Sequence, residues 1–297
     1  MKHVVVFAKI IEADQAIFVQ ELVSKCLYLG VRITMLHQAY SATTRWLALP
    51  SEIKVVEELD FENTTDIDFL FSLGGDGTLL EASMLIGASN IPIVGINLGR
   101  LGFLASIEKK YIDQTVHKLF NRDYTIERRS LLHFTSNEGQ FMSYPFALND
   151  MTIIKRDHSS MIVIHASLNG EFLNSYWADG LIISTPTGST GYSLSCGGPI
   201  LMPTAENFII TPIAPHNLSV RPLIVPDCSE LEFTIEGRAE NFLCTLDSRY
   251  EVITKTCIIK VVKANHTISL VRLPKITFMK TMRDKLQWGR DLRNYKK

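Results

Sequence analysis

Residues 67–85 read IDFLFSLGGDGTLLEASML: an apolar, strand-sized run, a glycine-rich turn and a helix-like run. Three glycines surround Asp76, although glycine loses more backbone entropy on folding than any other residue. A ligand that approaches the backbone closely would explain them, because the start of a helix points unpaired N–H groups and a positive dipole end at an anion. The alternative is a tight turn in which Asp76 caps the helix. The doubled glycine and the following Thr78 favour a phosphate site, with Asp76 placed to act as a base.

The first 125 residues alternate short apolar runs with runs of helical period. Strands are predicted at 3–10, 31–36, 68–73 and 91–96, and helices at 14–29, after 77 and at 107–120. Gly30 fits the position just after the end of the first helix. Strands that are apolar on both sides and separated by helices indicate a mostly parallel sheet covered on both faces. The sequence therefore predicts an α/β N-terminal domain.

From about Tyr124 the hydrophobic period changes towards two, which predicts a β-rich, sandwich-like domain. Its strands are expected at 124–134, 146–154, 161–168, 172–176, 181–184, 231–236, 242–246, 256–262 and 268–273. Asn169-Gly170 is typical of a two-residue hairpin turn, whereas 159–161 and 203–207 are interpreted as loops. After Pro274 the helical spacing returns, and this C-terminal helix is predicted to pack back on the first domain. The predicted domains are 1–125 with 274–297, and 126–273.

The composition is that of an ordinary globular protein: 297 residues, 46% hydrophobic, 21% charged and a net charge of −1. This charge argues against a broad nucleic-acid or anionic-membrane surface. The apolar runs are too short for a membrane span, and no signal-peptide pattern is present. Five cysteines without a Cys-x-x-Cys pair argue against a disulfide framework and a zinc site. We therefore expect a cytoplasmic protein.

A second glycine-rich segment, NLGRLGF at 97–103, follows the strand predicted at 91–96. Open α/β sheets bind ligands at this carboxyl end of their strands. The segment is interpreted either as backbone lining a flat ring or as a loop with an ordinary buried Phe103. Neither a Gly-x-Gly-x-x-Gly fingerprint nor a Gly-x-x-x-x-Gly-Lys-Ser/Thr loop occurs, so the usual dinucleotide fold and a P-loop enzyme are unsupported.

Two further segments carry polar groups next to apolar strands. Residues 178–193 read ADGLIISTPTGSTGYS, and their hydroxyls could hold phosphate or ribose oxygens beside Tyr192, or the segment could be a polar loop capping the next helix. Asn149-Asp150 is a polar pair that interrupts a strand. It is interpreted either as a bulge or turn, or as a ligand contact. In the second case the Asn149 amide could hydrogen-bond to the edge of adenine, and the Asp150 carboxylate could accept hydrogen bonds from ribose hydroxyls. For His216 and Arg221 a structural role is favoured. The other histidines are not spaced as metal ligands would be, so no histidine metal site is predicted.

Together these motifs resemble the NAD kinase family, and the likeness runs from Val4 to Trp288. The glycine turn alone is also similar to that of diacylglycerol-type lipid kinases and phosphofructokinases. The run Thr185-Pro186-Thr187-Gly188-Ser189-Thr190 singles out NAD kinases. The resemblance implies ATP-dependent phosphorylation of the adenosine-ribose 2′-hydroxyl of NAD, with a divalent metal such as Mg²⁺. It also implies an α/β domain followed by a β-rich domain, and a homo-oligomer, commonly a tetramer.

The resemblance also implies roles for individual residues. Asp76 matches the proposed base, Gly77 and Phe103 line the NAD site, and Asn149 with Asp150 matches an Asn-Glu pair that binds NAD. Further NAD contacts are implied for Asp179, Thr190, Gly191, Tyr192, Ser193, Leu194 and Ser195. Phosphate contacts are expected from Gly74, Gly75, Gly77 and Thr78, and no metal ligand is assigned.

Three positions depart from the family pattern: Asp150 stands where Glu is usual, Gly191 replaces Ala, and Trp177 stands where a basic residue is frequent. Two alternative functions make different demands on the sequence. A lipid kinase would need a basic or apolar membrane-facing surface, which the net charge of −1 and the lack of an amphipathic anchor do not supply. A non-catalytic NAD(P)-binding sensor would be marked by loss of Asp76, which is intact. We expect neither a nucleic-acid nor a membrane partner.

Overall fold

The structure is a computed structural model that describes residues 1–139, 143–156 and 161–288. Ser159 and Ser160, which the sequence predicts in a loop, lie outside the described residues. The chain divides into two compact units, Met1–Arg128 together with the chain from Ile268 onward, and Arg129–Thr267. Each unit has its own hydrophobic core.

The N-terminal segment alternates strands and helices. Its strands are β1 (His3–Phe7), β2 (Arg32–Leu36), β3 (Lys54–Val56), β4 (Phe69–Leu73), β5 (Ile93–Asn97), β6 (Ile107–Glu108) and β7 (Thr125–Arg129). Its helices are α1 (Ala16–Tyr28), α2 (His37–Thr44), α3 (Asp76–Ile86) and α4 (Ile112–Phe120). Gly30 follows α1 with a φ of +69°, the left-handed conformation predicted for it.

Within its described residues, 129–139, 143–156 and 161–267, the second unit has strands, one short helix and one 3₁₀ turn at Gly188–Thr190. The strands are β8 (Leu132–Ser136), β9 (Phe146–Ala147), β10 (Asp150–Lys155), β11 (Ile162–Leu168), β12 (Glu171–Ala178), β13 (Gly180–Ser184), β14 (Asn207–Ile213), β15 (Leu223–Pro226), β16 (Leu231–Glu236), β17 (Asn241–Leu246), β18 (Arg249–Thr254) and β19 (Ile259–Lys263). The short helix is α5 (Tyr192–Ser195). The chain then returns to the first unit with β20 (Ile268–Arg272) and α6 (Phe278–Leu286).

The sheet of the first unit has the strand order β3-β2-β1-β4-β5-β20-β7, with β6 also paired to β5. The pairs from β3 through β5 to β20 are parallel. β1, β4 and β5 are buried along their whole length, which explains their unbroken apolar sequences. Since β4 and β5 are parallel neighbours, the loops after Leu73 and Asn97 leave the same edge of the sheet.

The second unit is a sandwich of two six-stranded sheets, ordered β15-β14-β13-β10-β17-β18 and β12-β11-β16-β19-β8-β9. Apolar side chains of both sheets, among them Ile153 and Phe233, share one core. The β11–β12 hairpin turns at Asn169 and Gly170, which have φ values of +52° and +81°, as the turn residues predict. The predicted fold class, an α/β domain plus a β-rich sandwich-like domain, is confirmed.

Several element boundaries differ from the predictions. The helix predicted at 107–120 begins only at Ile112, because Ile107–Glu108 pairs with β5 as β6. The strand predicted at 124–134 is two strands, β7 and β8, that belong to different sheets. β20, which the sequence assigned to the β-rich domain, pairs with β5 of the first unit. The elements α2, β3, β14, β15 and β18 were missed, and β3, β15 and β18 are edge strands with exposed residues.

The C-terminal helix packs on the first unit, as predicted. Thr277 caps α6 by accepting a hydrogen bond from the N–H of Lys280 at 3.2 Å. Met282 is buried, and the Phe278 ring lies 6.4 Å from the ring of Phe103. None of the described helices has the length and apolar character that a membrane-spanning segment needs.

Candidate functional site

The glycine turn leaves a set of backbone amides free at the start of α3. The first helical hydrogen bond runs from the N–H of Leu79 to the carbonyl of Gly75 at 3.2 Å. The amides of 75–78 precede it and therefore have no helical acceptor. The N–H of Gly74, in contrast, donates to the carbonyl of Ile96 on β5 at 3.0 Å. Asp76 is the first helical residue and makes no cap hydrogen bond, so the alternative in which it caps the helix is wrong.

The three glycines of the turn are required for different reasons. Gly74 has a φ of +152°, and a Cβ there would lie 2.9 Å from the Cβ of Thr78. The fold itself therefore requires a glycine at this position. A Cβ at Gly75 or Gly77 would meet no atom within 4 Å. The fold therefore does not require these two glycines. A ligand that lies against the backbone would require them, because a side chain would occupy its space.

The Asp76 carboxylate joins the two glycine-rich segments of the first unit. It accepts hydrogen bonds from the N–H groups of Phe103, Leu104 and Ala105 at 2.8, 3.0 and 2.9 Å. Gly102 makes this possible, since a Cβ on it would lie 2.6 Å from the Asp76 Cγ. The loop after β5 is therefore fixed to the first turn of α3, and the orientation of the carboxylate is fixed with it.

A hollow of about 270 Å³ borders the turn. Its lining includes Lys9, Glu12, Gly74, Gly75, Thr78 and Arg100. Asn97 shapes one wall by accepting a hydrogen bond from the N–H of Gly99 at 2.8 Å and donating one to the carbonyl of Arg100 at 2.6 Å. Backbone amides at a helix start and two cationic side chains beside one hollow are features that suit a large anion.

Phe103 is only 9% exposed. Its ring faces Phe278, and the Lys285 ammonium lies 4.9 Å from the ring centroid. The ring is therefore mostly covered by residues of α6, which matches the interpretation of Phe103 as an ordinary buried residue more closely than that of an open platform for a ligand.

In the second unit, Asn149 and Asp150 lie where β10 begins, between β13 and β17. Their side chains make no hydrogen bond to other described residues, so both are available to a ligand. Asp150 is nevertheless 7% exposed. Burial and the neighbouring Asp247 raise its pKa to about 7. Burial also raises the pKa of Asp247, against the opposing effect of the backbone N–H groups that it accepts.

The hydroxyl-rich loop after β13 is built mainly by bonds within the protein. Thr185 donates its N–H to the carbonyl of Asn149 at 2.9 Å and its hydroxyl to that of Leu148 at 2.6 Å. Gly188 packs so closely that a Cβ on it would lie 2.5 Å from the carbonyl carbon of Asn149. Ser189 donates to the carbonyl of Pro186. The interpretation that these buried hydroxyls hold ligand oxygens is therefore corrected: they fix the loop against 148–149, because buried donors must find acceptors.

Residues 190–195 divide into buried and exposed groups. Ser193 is fully buried, and its hydroxyl pairs with that of Thr211 at 2.8 Å, so its side chain holds α5 in place. Tyr192 and Ser195 are exposed, and Thr190, Gly191 and Leu194 are partly exposed. A Cβ at Gly191 would lie 3.7 Å from an Asp150 carboxylate oxygen and 3.8 Å from the Asn149 amide nitrogen. This segment therefore borders the Asn149–Asp150 pair.

The remaining predicted residues have partners or exposed positions of their own. Asp179 forms an ion pair of 2.6 Å with Lys155 on β10. Trp177 is 54% exposed, and its carbonyl accepts the N–H of His216 at 2.8 Å. The Arg221 guanidinium donates to two carbonyls of its own loop, which agrees with the structural role expected for it.

Two family descriptions match the chain in order. The ATP-NAD kinase N-terminal domain matches residues 8–124, and the ATP-NAD kinase C-terminal domain matches residues 148–273. The chain belongs to the NAD kinase family. The family resemblance predicted from the motifs is confirmed, and with it the assignment of the chain as a phosphotransferase. The lipid-kinase and sensor alternatives find no support in these matches.

Relatives within the family are similar over most of their length. The NAD kinase of Cytophaga hutchinsonii is 53% identical over 237 residues, which are 79% of this chain and 81% of the relative. The NAD kinase of Porphyromonas gingivalis is 38% identical over 294 residues, 99% of this chain and all of the relative.

Solved structures support the fold. Yeast NADH kinase complexed with NADH has a TM-score of 0.88 at 23% identity, and the match covers 100% of this chain and 90% of that one. The NAD kinase of Archaeoglobus fulgidus in complex with ATP has a TM-score of 0.72 at 24% identity, covering 97% and 98% of the two chains.

Sequence reasoning missed three residues of these sites. Lys9 and Lys155 bring positive charge to the hollow and to Asp179, but single lysines at strand ends carry no distinctive pattern. Asp247 binds the backbone of the Asn149–Asp150 segment. Its position between two strand-like runs could have predicted a hairpin turn, but not its partner about 100 residues away.

Proposed function

We propose that this chain transfers the γ-phosphoryl group of ATP to the 2′-hydroxyl of the adenosine ribose of NAD, giving NADP and ADP. The observation that carries the proposal is the turn at 74–78. Two of its glycines are dispensable for the fold, and Gly74, Gly75 and Thr78 line a hollow that Lys9 and Arg100 also line. These are the features that a bound triphosphate would need.

The first unit supplies the phosphate contacts in this proposal. The amides of 75–78 donate to phosphate oxygens, while Gly74 forms the turn, because its own N–H is already bound to Ile96. Thr78 adds a hydroxyl that lines the same hollow. Lys9, which pairs with Glu81, and Arg100 offset the charge of the phosphates. Phosphoryl transfer depends mostly on such positioning and charge stabilisation.

Asp76 acts as the base that accepts the proton of the ribose hydroxyl. A carboxylate has about four acceptor positions, and three are taken by the amides of 103–105. One position therefore remains for the substrate hydroxyl. The same three bonds fix the orientation of the carboxylate, so no rearrangement is needed at the moment of proton transfer. Gly77 is assigned to the NAD contacts of this unit, and Phe103 contributes to them through the small part of its ring that α6 leaves exposed.

The second unit supplies further NAD contacts. The free amide group of Asn149 can donate to and accept from the edge of adenine, and Asp150 offers a carboxyl group to ribose. Gly191 leaves space beside both side chains. The exposed Tyr192, with Thr190 and Ser195, contributes a ring face and hydroxyls, while Ser193 and Leu194 support them from within α5. Asp179, which forms an ion pair with Lys155, supplies a further contact to NAD.

A divalent metal, Mg²⁺, belongs to the proposal as well. The described residues contain no group of three or more side chains that could hold a metal alone. Mg²⁺ is commonly bound by one or two carboxylates together with substrate phosphates and water. Glu12 is the carboxylate that lines the hollow beside the turn. When bound, the metal supplies charge neutralisation for the phosphates.

The assembly and location are proposed from the family resemblance. We infer a homo-oligomer, with a tetramer as the expected size, in the cytoplasm. The exposed Trp177 and Leu218, which border one shallow pocket, support a surface that another protein covers. Light scattering of the purified protein tests the oligomer, and a monomer at micromolar concentration would contradict it.

The test of the proposed function is direct. Purified protein is incubated with ATP, Mg²⁺ and NAD, NADH or a diacylglycerol, and NADP, NADPH or phospholipid is measured. We expect NADP from NAD. Phospholipid would establish the lipid-kinase alternative, and binding of NAD without any product would establish the sensor. Asp76→Asn is expected to lower turnover by about 10²–10⁴-fold in a folded protein. Near wild-type turnover would refute the assignment of Asp76 as the base.

A further inference from the structure

The turn between β17 and β18 places a partly buried carboxylate against the start of β10. Asp247 has a φ of +53° and is partly exposed to solvent. Its carboxylate accepts hydrogen bonds from the N–H groups of Leu148, Asn149 and Asp150 at 3.0, 2.7 and 3.2 Å. Its own N–H donates to the carbonyl of Asp150 at 2.9 Å. Four hydrogen bonds thus connect one side chain and its backbone to three consecutive residues.

We propose that Asp247 is a positioning residue for the Asn149–Asp150 pair: it fixes the backbone of both residues and places a second carboxyl group beside the buried Asp150. This inference rests on the proposed function, in which the pair contacts NAD. It goes beyond that function by assigning a distant residue that sets both the geometry and the charge of the contact.

The positioning role of Asp247 follows from the contacts that hold the segment around Asn149 and Asp150. The side chains of Asn149 and Asp150 have no partner among the described residues, so they do not hold their own positions. The carbonyl of Asn149 is bound by Thr185, and its N–H by Asp247. Arg249, on β18 next to the turn, donates to the carbonyls of Tyr144 and Phe146 in the same segment. The hairpin therefore orders the segment that carries the pair.

The electrostatic half follows from the groups that face Asp150. Asp247 comes from the β17–β18 turn, and Tyr192 and Cys196 come from α5 and the residue after it. None of them carries a positive charge. Arg249 is the cation on this side, and it acts on Asp247. Two neighbouring carboxyl groups repel each other when both are ionised, and the three N–H bonds that Asp247 accepts favour the ionised form of Asp247 over that of Asp150. Burial and Asp247 together raise the pKa of Asp150 to about 7.

Asp247→Asn tests both halves. The amide cannot accept all three N–H bonds, which leaves a buried donor unsatisfied. NAD affinity is therefore expected to fall about tenfold or more. The change also removes the negative charge and leaves Arg249 uncompensated, and both effects lower the pKa of Asp150. The pH at which NAD affinity changes should thus move from near neutral in the wild type to a lower value.

The measurement is calorimetric titration with NAD between pH 5.5 and 8.5. Asp227→Asn is the matched control, since Asp227 is a buried aspartate of the same unit that pairs instead with Lys263 at 2.6 Å. It should leave both the affinity and its pH dependence unchanged. In Asp150→Asn the step near neutral pH should be absent. A folded Asp247→Asn variant with wild-type affinity and an unmoved pH profile would overturn the proposal.

A second comparison keeps the proposal testable if Asp247→Asn does not fold. Wild type and Asp150→Asn with identical pH profiles would show that Asp150 does not titrate in this range, which would also overturn the electrostatic half. The outcomes are separate from those of the proposed function. If the wild type binds NAD but forms no NADP, the kinase proposal fails, whereas the binding data still decide the role of Asp247.

Discussion

At the scale of single residues, each unit uses one aspartate to hold three consecutive backbone N–H groups. Asp76 binds those of 103–105, and Asp247 binds those of 148–150. A carboxylate suits this task because its two oxygens have several acceptor positions and its charge strengthens each bond. In both cases a segment proposed to contact NAD is fixed by a side chain from a distant part of the sequence.

Alanine substitutions in the turn can distinguish a glycine that the fold requires from a glycine that the ligand requires. Gly77→Ala is expected to raise the free energy of unfolding by about 0.4–1 kcal/mol, because alanine restricts the unfolded chain and meets nothing in the structure. The same change should raise KM for ATP or lower turnover about tenfold or more, since the methyl group occupies the space of the ligand. Chemical denaturation and steady-state kinetics measure the two effects.

Gly74→Ala is the control within the same turn. It should destabilise the protein, because Gly74 has a φ of +152° and a Cβ would collide with Thr78. If Gly77→Ala is as active as the wild type, the phosphate site is not at this turn.

The raised pKa of Asp150 predicts a pH-dependent stability. The folded chain keeps a proton on Asp150 up to about pH 7, whereas the unfolded chain releases it near 3.8. The unfolded state thus binds fewer protons in this window, and stability contributed by Asp150 falls as the pH rises through it. Asp150→Asn removes this cost and should stabilise the protein at pH 8 by an amount on the order of 2–4 kcal/mol.

The gain from Asp150→Asn should be smaller at pH 5, where Asp150 is still protonated in the folded state. Urea denaturation of both proteins at the two pH values measures it. A gain that is equal at pH 5 and pH 8 would show that ionisation of Asp150 is not its cause.

At the scale of elements, the phosphate turn depends on contact between α3 and the loop after β5. Gly102→Ala should break this contact, because a Cβ would lie 2.6 Å from the Asp76 Cγ. Loss of three hydrogen bonds to the partly buried Asp76 carboxylate should destabilise the protein by about 2 kcal/mol or more, and turnover should be lost with it. Thermal unfolding and the NADP assay follow the two changes.

Gly99→Ala is the matched control in the same loop. Its Cβ would meet only the Asn97 side-chain oxygen, at 3.9 Å. Stability should stay within about 0.5 kcal/mol of the wild type. Equal effects of the two substitutions would mean that the loop tolerates no side chain at all, rather than that Gly102 makes room for Asp76.

At the scale of the whole molecule, the first unit is not continuous in sequence, because it is formed from both ends of the chain. β20 and α6 follow the entire second unit but belong to the first, where β20 lies between β5 and β7. A chain that ends at Thr267 should therefore lose the order of its first sheet and expose buried residues such as Ile96. Residues 129–267 alone should fold, because both of their sheets are complete.

Circular dichroism and limited proteolysis of the two truncated chains check this expectation. Proteolysis should degrade the first unit of the chain 1–267 and leave its second unit resistant. A stable first unit in that chain would show that β20 is dispensable for the sheet.

The sequence by itself determined the alternation of strands and helices, the change to a β-rich second half, the glycine turn at 74–78 and the family. All of these depend on residues that are close together in the sequence: the hydrophobic periodicity, the turn residues and the contiguous motifs. Only the tertiary structure decided that β20 joins the first sheet, that the hydroxyls of Thr185 and Ser193 bind the protein, and that Asp247 holds Asn149 and Asp150. The reason is physical: a buried polar group or strand edge takes whichever partner the fold brings near, and the identity of that partner is not encoded in the residues beside it.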